Sequence, residues 1–435
     1  MHDSSGSRIA RRTFLKASGA ATVGLGLGRT SAAQPQAVRR EQLALFGGSK
    51  SVTVSSSDAW RWPRYGEAEE EAVLRLLRQP TYDPIASLEQ DWREHFGVTY
   101  AKAYCNGTSA LTAMFFALDL PAGSEILVPS YTFFATIIPM RQFGLVPVFV
   151  DIDPRTLNFD LEDAKQRLTK QTRAVLPVHW FGLPCDMDDI TEWADEKGLI
   201  VLEDAAHAHG VKLKGKYMGK WGRMAIFSYQ MSKPLPAMEG GMGVYRDQDD
   251  FDRATAFGHY NQCQGKYAKY RGTGLGTKLR MHPMAAALAR CQLTDLEDRI
   301  AAGRKQTRAI NDRLVELPGL YDQRTRPDCE RLYYGINVLF IDETEAGMSR
   351  ETCVKALQAE GVAANVYTYP LQHKMTIYSE PQWWDHAPVI PDLPGSEQAN
   401  ATAISLPYFT SEQPELTEQY VAAFEKVWAH RGDLG

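Results

Sequence analysis

Four short runs along the chain are apolar at nearly every position: Glu125-Ile-Leu-Val128, Val146-Pro-Val-Phe-Val150, Ala174-Val-Leu-Pro-Val178 and Leu199-Ile-Val-Leu202. Helical stretches separate them. Strands without alternation are buried on both faces, and strands alternating with helices build a parallel or mostly parallel sheet. The pattern therefore predicts an α/β architecture. Ligands on such sheets lie beyond the carboxyl ends of the strands. Ser130-Tyr-Thr-Phe133, His179-Trp-Phe-Gly182, and Asp204 with His207 fall there. Ahead of the sheet, residues 63–78 place charges and leucines at helical spacing, as in Glu67-Ala-Glu-Glu-Glu-Ala-Val-Leu-Arg-Leu-Leu77. Residues 34–62 are polar and irregular and read as an arm lying across another surface. After Tyr245 a polar, glycine-rich region to Gly276 predicts surface loops near the site.

At His282-Pro283 a long helical stretch begins, proline suiting a first turn, and Ala285, Leu293, Leu296 and Ile300 carry it onward. It leads from a large domain, 63–300, into a smaller C-terminal α+β domain, 301–435. That domain contains the strand Tyr334-Gly-Ile-Asn-Val-Leu-Phe-Ile341 and helices at 350–360 and 418–430.

Composition changes this picture little. The chain has 435 residues, 44% hydrophobic and 23% charged, which is ample for a large core. Its net charge is −5, and five basic residues in the first 33 leave the remainder more acidic still, so no basic field exists for nucleic acid. The six cysteines lack a CxxC pair, and spacing does not say whether any of them pair.

The first 33 residues read as an export signal. Arg11-Arg12 precedes an apolar, glycine-rich run at 17–28 and the small residues Ser31-Ala32-Ala33, an order that matches a removable twin-arginine leader cut after Ala33. The expected location is the periplasm, or the cytoplasm if the signal is not used. The run falls short of the roughly 20 apolar residues that span a bilayer, so no stable membrane anchor is expected.

Candidate chemistry clusters in three places. Tyr104-Cys105-Asn106-Gly107-Thr108-Ser109 turns from a strand into a helix whose free N–H groups, at Gly107, Thr108 and Ser109, suit a phosphate; such a start also serves as a plain N-cap. The run ending at Leu202 delivers Glu203-Asp204, with Asp204 buried and Glu203 on the opposite face. Phe227-Ser228-Tyr229 then leads to Lys233 and Glu239-Gly-Gly241. A lysine for a Schiff base, an acid for a pyridine nitrogen and a hydroxyl for a phosphate are what pyridoxal 5′-phosphate requires. His207 and His209 have no third ligand nearby, so no metal is expected.

Together these residues resemble the DegT family of pyridoxal phosphate-dependent sugar and cyclitol aminotransferases. The likeness runs from about Leu43 to Trp428. It includes Asn106-Gly-Thr-Ser-Ala-Leu111, Pro129-Ser-Tyr-Thr-Phe-Phe-Ala-Thr136, Val150-Asp-Ile-Asp153, Pro177-Val-His-Trp-Phe-Gly182, Glu203-Asp-Ala-Ala-His207-Ala-His-Gly210, and Phe227-Ser-Tyr with Lys233 and Glu239-Gly-Gly241. The resemblance implies fold type I of the pyridoxal phosphate enzymes and a homodimer whose sites are completed by the partner. It implies that Lys233 holds the cofactor as a Schiff base and serves as acid and base, and that Asp204 pairs with the pyridinium. His207 would lie near the phenolic oxygen, Phe133 would stack on the ring, and Thr108, Ser109 and Ser228 would contact the phosphate. Tyr369 and His373 match a segment near the acceptor sugar, where a proline-bounded strand with an exposed histidine is the plain alternative.

The implied reaction carries an amino group from glutamate or glutamine to a keto-sugar or keto-cyclitol. Three departures stand out: Lys278 where the family often has a partner-reaching Asn, with Arg280 close behind; Met238 before Glu-Gly-Gly; and Pro234 directly after the lysine. Two other readings stay open. A sugar dehydratase uses the same cofactor, but relatives of that kind carry histidine in place of the lysine. An exported cofactor- or sugar-binding or regulatory protein without turnover would suit the leader, because nucleotide-linked sugars are cytoplasmic.

Overall fold

The computed structural model describes residues 41–56 and 58–434. The expected export signal at 1–33 and the start of the arm lie outside these residues. The strands of the main sheet are β1 (Tyr100–Tyr104), β2 (Glu125–Pro129), β3 (Val146–Val150), β4 (Thr172–Val175) and β5 (Ile200–Asp204). A small hairpin follows, β6 (Lys212–Leu213) and β7 (Lys216–Tyr217), and then β8 (Met224–Ser228) and β9 (Gly241–Tyr245) return to the sheet. Its seven strands run in the order β1-β9-β8-β5-β4-β2-β3, and β9 alone runs antiparallel to its neighbours. The architecture is therefore α/β with a mostly parallel central sheet, as the apolar runs predict.

Helices cover both faces. On one, Leu88 and Trp92 of the helix Asp83–Phe96 pack with Ala286 and Leu293 of the helix Pro283–Thr294. On the other lies the helix Gly107–Ala117, apolar on nearly every side because it is sandwiched between the sheet and the helix Gln248–Gly258.

This last helix corrects the expectation of loops after Tyr245. Its buried face is made of Ala254, Thr255, Ala256, Phe257 and Gly258, too small and mixed to read as an apolar stripe. The buried Asp250 is paired by Arg223, with hydrogen bonds of 2.7 and 2.6 Å. The long helical stretch is two helices, Pro283–Thr294 and Leu296–Leu314, meeting at Asp295.

The C-terminal region adds β10 (Leu320–Asp322), β11 (Cys329–Glu330), β12 (Ile336–Ile341), β13 (Asn365–Val366) and β14 (Ala403–Pro407). Four of these form an antiparallel sheet in the order β10-β12-β14-β13, while β11 pairs with β6 and ties the two regions together. The closing helix, Pro414–Ala429, starts four residues earlier than its apolar pattern suggests and buries Val421, Phe424 and Trp428. Burial of a side chain such as Phe424 contributes about 1.5–3 kcal/mol. Residues of the arm lie on this core: Leu43 and Ala59 are buried in it, and Ala44 and Ser51 donate backbone N–H groups to Glu360.

All six cysteines are free thiols. Among the described residues no helix is long and apolar enough to cross a membrane.

Candidate active site

The expected chemistry gathers where β5, β8 and β1 end. Asp204 closes β5, Ser228 closes β8, and β1 runs through Cys105-Asn106 into the helix beginning at Gly107. Gly107 packs tightly here: a Cβ would stand 3.0 Å from the Ser228 Cβ, so the serine would have to give way. Gly241, at the start of β9, has no room for a side chain, since a Cβ there would lie 2.6 Å from the Asn106 carbonyl carbon. The close approach sets the helix N-terminus beside Ser228. Asn106 caps Ser109 N–H at 2.8 Å, and Ser109 Oγ lies 3.0 Å from Cys105 Sγ. Thr108 is half-buried and stands with Gly107 at the end where backbone donors and the helix dipole favour an anion.

Asp204 is buried. Its Oδ2 accepts from Thr136 Oγ1 at 2.8 Å and its Oδ1 from Ala206 N–H at 3.1 Å. Burial pushes its carboxyl above the ordinary aspartate value; the Thr136 and Ala206 hydrogen bonds and the charges of Lys233 and His179 oppose the rise. An ionised carboxylate accepts up to about four hydrogen bonds, and one buried without a cation is costly. Among the described residues no cation contacts Asp204 within 4 Å, so the group fits a protonated ring nitrogen.

His207 is buried with its ring 4.2 Å from that of Tyr334 and 4.9 Å from that of Trp180. Burial, then the charge of Lys233 and the neighbouring His209, hold it well below the ordinary histidine value, so it is neutral. Its Nδ1 is buried with no hydrogen-bond partner among the described residues, an orphan atom that the phenolic oxygen of pyridoxal phosphate would satisfy. His209 is different. It packs among Trp92, Phe227 and Tyr229 behind the sheet, and burial pushes it down to about 3.

Lys233 lies in a turn closed by its own N–H on Gln230 O at 2.8 Å and held by Trp62 Nε1 on its carbonyl at 3.2 Å. Its Nζ stands 4.6 Å from the centre of the Tyr334 ring, and its charge is felt by Asp204, His207 and His209. The residues present thus fit the cofactor: a buried acid, an orphaned imidazole nitrogen, an amine and a helix N-terminus converge.

Other expected residues are placed less centrally. Phe133 is 51% exposed and its ring touches Phe134 at 4.5 Å. Tyr369 joins an aromatic wall with Trp180 and Tyr131, and burial, then Tyr334 and the Asp204 charge, push it up to about 12. His373 is buried, not exposed as in the plain reading, and its Nδ1 lies 2.6 Å from Ser130 Oγ. That contact ties it to the strand end after β2. Lys278 is exposed on a groove of about 1300 Å³ that Arg280, Glu239 and Met238 also line.

Sequence reasoning passed over Tyr334, which touches both Lys233 and His207 and whose hydroxyl lies 2.6 Å from Ser232 Oγ. It lies two residues ahead of β12, some hundred residues later, and no local pattern marks it. Thr136 closes a motif whose length could have flagged it. Glu203, expected on the far face, is fully buried and collects the N–H groups of Gly219, Trp221 and Gly222.

Comparison with known proteins agrees with this geometry. The DegT/DnrJ/EryC1/StrS aminotransferase family profile matches residues 64–425. The chain is 31% identical over 327 residues to GDP-perosamine synthase of Escherichia coli O157:H7, covering 75% of this chain and 85% of that protein. It is 30% identical over 406 residues to a putative L-glutamine:3-amino-2,3-dideoxy-scyllo-inosose aminotransferase of Streptoalloteichus tenebrarius, covering 90% and 93%. Among solved structures, an aminotransferase from Psychrobacter cryohalolentis superposes with a TM-score of 0.78 at 27% identity, over 86% of this chain and 99% of that one. 3-Amino-5-hydroxybenzoic acid synthase does so with a TM-score of 0.73 at 25% identity, over 84% and 98%. With a converging lysine, buried aspartate and neutral histidine on the matching fold, this chain belongs to the DegT/DnrJ/EryC1/StrS family of pyridoxal phosphate-dependent aminotransferases.

Proposed function

We propose that this aminotransferase carries an amino group from glutamate or glutamine to a keto-sugar or keto-cyclitol. The observation that carries the reading is the meeting of Lys233 with buried Asp204 and neutral His207. When bound, pyridoxal phosphate supplies an aldehyde to hold the amino group and a protonated ring to take up electrons. Asp204 keeps the proton on the ring nitrogen. Lys233 Nζ would take the proton from the donor α-carbon and return one to the acceptor carbon. His207 offers a ring nitrogen to the phenolic oxygen, and Gly107, Thr108, Ser109 and Ser228 offer donors to the phosphate. The choice of donor and acceptor is supported by the names of the two relatives, one a glutamine:cyclitol enzyme and one a nucleotide-sugar enzyme. The presence of Lys233 favours amine transfer over dehydration.

The same reading includes a homodimer and export. The 1300 Å³ groove is lined by apolar Leu74, Leu77 and Met238 and opens beside Cys105 and Lys278, which suits a second copy completing the phosphate site through Lys278. Light scattering tests this, and a monomer at micromolar concentration would remove it. An uncleaved N-terminus on mature protein in the cytosol would remove export.

The central test is the absorbance of the purified protein with pyridoxal phosphate before and after glutamate or glutamine, beside Lys233→Ala. A visible band that bleaches with donor in the wild type only, and returns with a ketone, supports the reading. A band that no donor alters would favour a binding protein.

A further inference from the structure

The segment 367–373 crosses from the C-terminal sheet to the strand ends of the main sheet, with Tyr369 near its middle. β13 pairs with β14 through Asn365 and Val366, and Tyr367 N–H still reaches Ala403 O at 3.0 Å. At the far end Gln372 N–H donates to Ser130 O at 3.0 Å and His373 N–H to Ser130 Oγ at 3.0 Å. Between these ties the ladder has run out, and Pro370 has no N–H to extend it. One side chain takes its place. Asn400 Oδ1 accepts from Tyr369 N–H at 2.8 Å, while Asn400 Nδ2 donates to Tyr369 O at 2.9 Å. A single amide thus satisfies both backbone groups of one residue.

Asn400 is itself held still, because its helix, Pro394–Thr402, is gripped at both ends. At the N-terminus Asp151, directly after β3, accepts from Gly395 N–H at 2.6 Å, Ser396 N–H at 2.8 Å and Ser396 Oγ at 2.7 Å. Near the other end Arg350 Nη1 donates to Asn400 O at 2.5 Å. An acid at the positive pole of a helix and a cation at the negative pole both stabilise it. Gly395 lets the helix press on the strand end, since a Cβ there would lie 2.1 Å from Ile152 O.

This anchored amide delivers the Tyr369 ring. It stands 4.7 Å from the ring of Trp180, which is itself 4.9 Å from that of His207. The hydrogen bonds of Tyr369 to the described residues are the two through its backbone, so its hydroxyl is left for a ligand. Aromatic faces and a phenol suit a ring with C–H faces and hydroxyl edges. A charged amino acid wants cations, which Trp180, Tyr131 and Tyr369 do not supply.

We infer that Asn400 is a positioning residue for the ketone half-reaction: its amide sets Tyr369 so that the phenol hydroxyl meets a hydroxyl or carbonyl oxygen of a polyhydroxylated ketone. That the ligand is the ketone rests on the function proposed above; the two-point hold on Tyr369 does not.

The test compares holoenzyme of the wild type, Asn400→Ala, Tyr369→Phe and the double variant. Hydrogen exchange reads the hold itself: the Tyr369 amide should exchange about tenfold faster or more in Asn400→Ala, while those of Gln372 and His373, tied to Ser130, keep the wild-type rate. Donor and ketone half-reactions are then followed separately by cofactor absorbance, with pentahydroxycyclohexanone and a GDP-linked keto-hexose as the ketone probes. The half-saturating concentration of the reactive ketone should rise about tenfold or more in Asn400→Ala and in Tyr369→Phe. The donor half-reaction of Asn400→Ala should stay within about threefold of wild type, and the double variant should be no worse than the poorer single one. Unchanged exchange, equal losses in both half-reactions, or losses that multiply in the double variant overturn the inference. An unaltered ketone dependence in Tyr369→Phe overturns it even if Asn400→Ala fails to fold. A wild type that takes the amino group from a donor but passes it to neither ketone refutes the proposed acceptor and the ketone role together. Ketone turnover that ignores Asn400→Ala overturns this inference and leaves the proposed function standing.

Discussion

Thr136 Oγ1 donates to Asp204 Oδ2 at 2.8 Å, joining the turn after β2 to the end of β5 two strands away in the sheet. Thr132 Oγ1 lies 2.8 Å from the same hydroxyl, so Thr136 is fixed as a donor to the acid. This hydrogen bond favours the charged carboxylate and opposes the rise caused by burial. Thr136→Val should therefore raise the Asp204 pKa further. A hydrogen bond to a charged group contributes about 1.5–3 kcal/mol, so cofactor affinity should fall by roughly one to two orders of magnitude. Equilibrium titration of the cofactor-free protein with pyridoxal phosphate checks it.

Asp204 also makes a pH prediction. Its carboxyl is raised in the folded chain, so between the ordinary aspartate value of about 3.9 and its folded value the native state binds the extra proton. Stability of the cofactor-free protein then falls as pH rises through that window, and the cost persists above it. Asp204→Asn should make the cofactor-free protein melt higher than wild type at pH 7, with the advantage vanishing near pH 4, while cofactor binding is largely lost. Melting curves across that range decide; a variant less stable than wild type at pH 7 and equal at pH 4 would refute the sign.

Legibility of the sequence followed how local each signal is. The parallel strands could be read because burial on both faces leaves runs such as Leu199-Ile-Val-Leu202 with no polar break, and Lys233, Asp204 and Gly107 lie within short motifs at strand ends. The helix Gln248–Gly258 was hidden because its buried face is small side chains and its acid is neutralised by Arg223, a partner 27 residues away. Glu203 could be read only as an acid on the face opposite Asp204; its partners, three N–H groups of the folded loop and His179, come from elsewhere in the chain. Tyr334 comes from a distant segment, and nothing near it in the chain announces the lysine it approaches.

Tyr334 leads to a mutational contrast. Its ring supports the Lys233 ammonium and the His207 imidazole, while its hydroxyl bonds only Ser232 among the described residues. A partly buried cation–π contact contributes about 0.5–2 kcal/mol. Tyr334→Phe keeps the ring and should stay within about threefold of wild-type kcat, whereas Tyr334→Leu should lose roughly ten- to thirtyfold. Steady-state rates at saturating donor test this, and equal losses in both variants would shift the role to the hydroxyl.

The arm is tied to the active site through Glu360. This carboxylate accepts from Ala44 N–H at 2.7 Å, Ser51 N–H at 3.0 Å, Ser51 Oγ at 2.9 Å and Lys426 Nζ at 3.0 Å. Burial would raise its pKa, but these donors together hold it below the ordinary glutamate value. The sign is thus opposite to that of Asp204: the stabilisation is present above about pH 4.3 and is lost as pH falls through the folded value. The arm runs from this anchor to Trp62, which donates to the Lys233 carbonyl, so its release would loosen the turn carrying the amine. Glu360→Gln keeps the shape but removes the charge, and hydrogen bonds to a charged group contribute about 1.5–3 kcal/mol. Limited proteolysis should then cut within residues 42–62 at pH 7 in the variant, and in the wild type only near pH 4 or below. Because the cofactor pocket is built from other segments, the variant should still bind pyridoxal phosphate. An arm that resists protease equally in both proteins at pH 7 would show that Leu43 and Ala59, buried in the C-terminal core, hold it without the carboxylate.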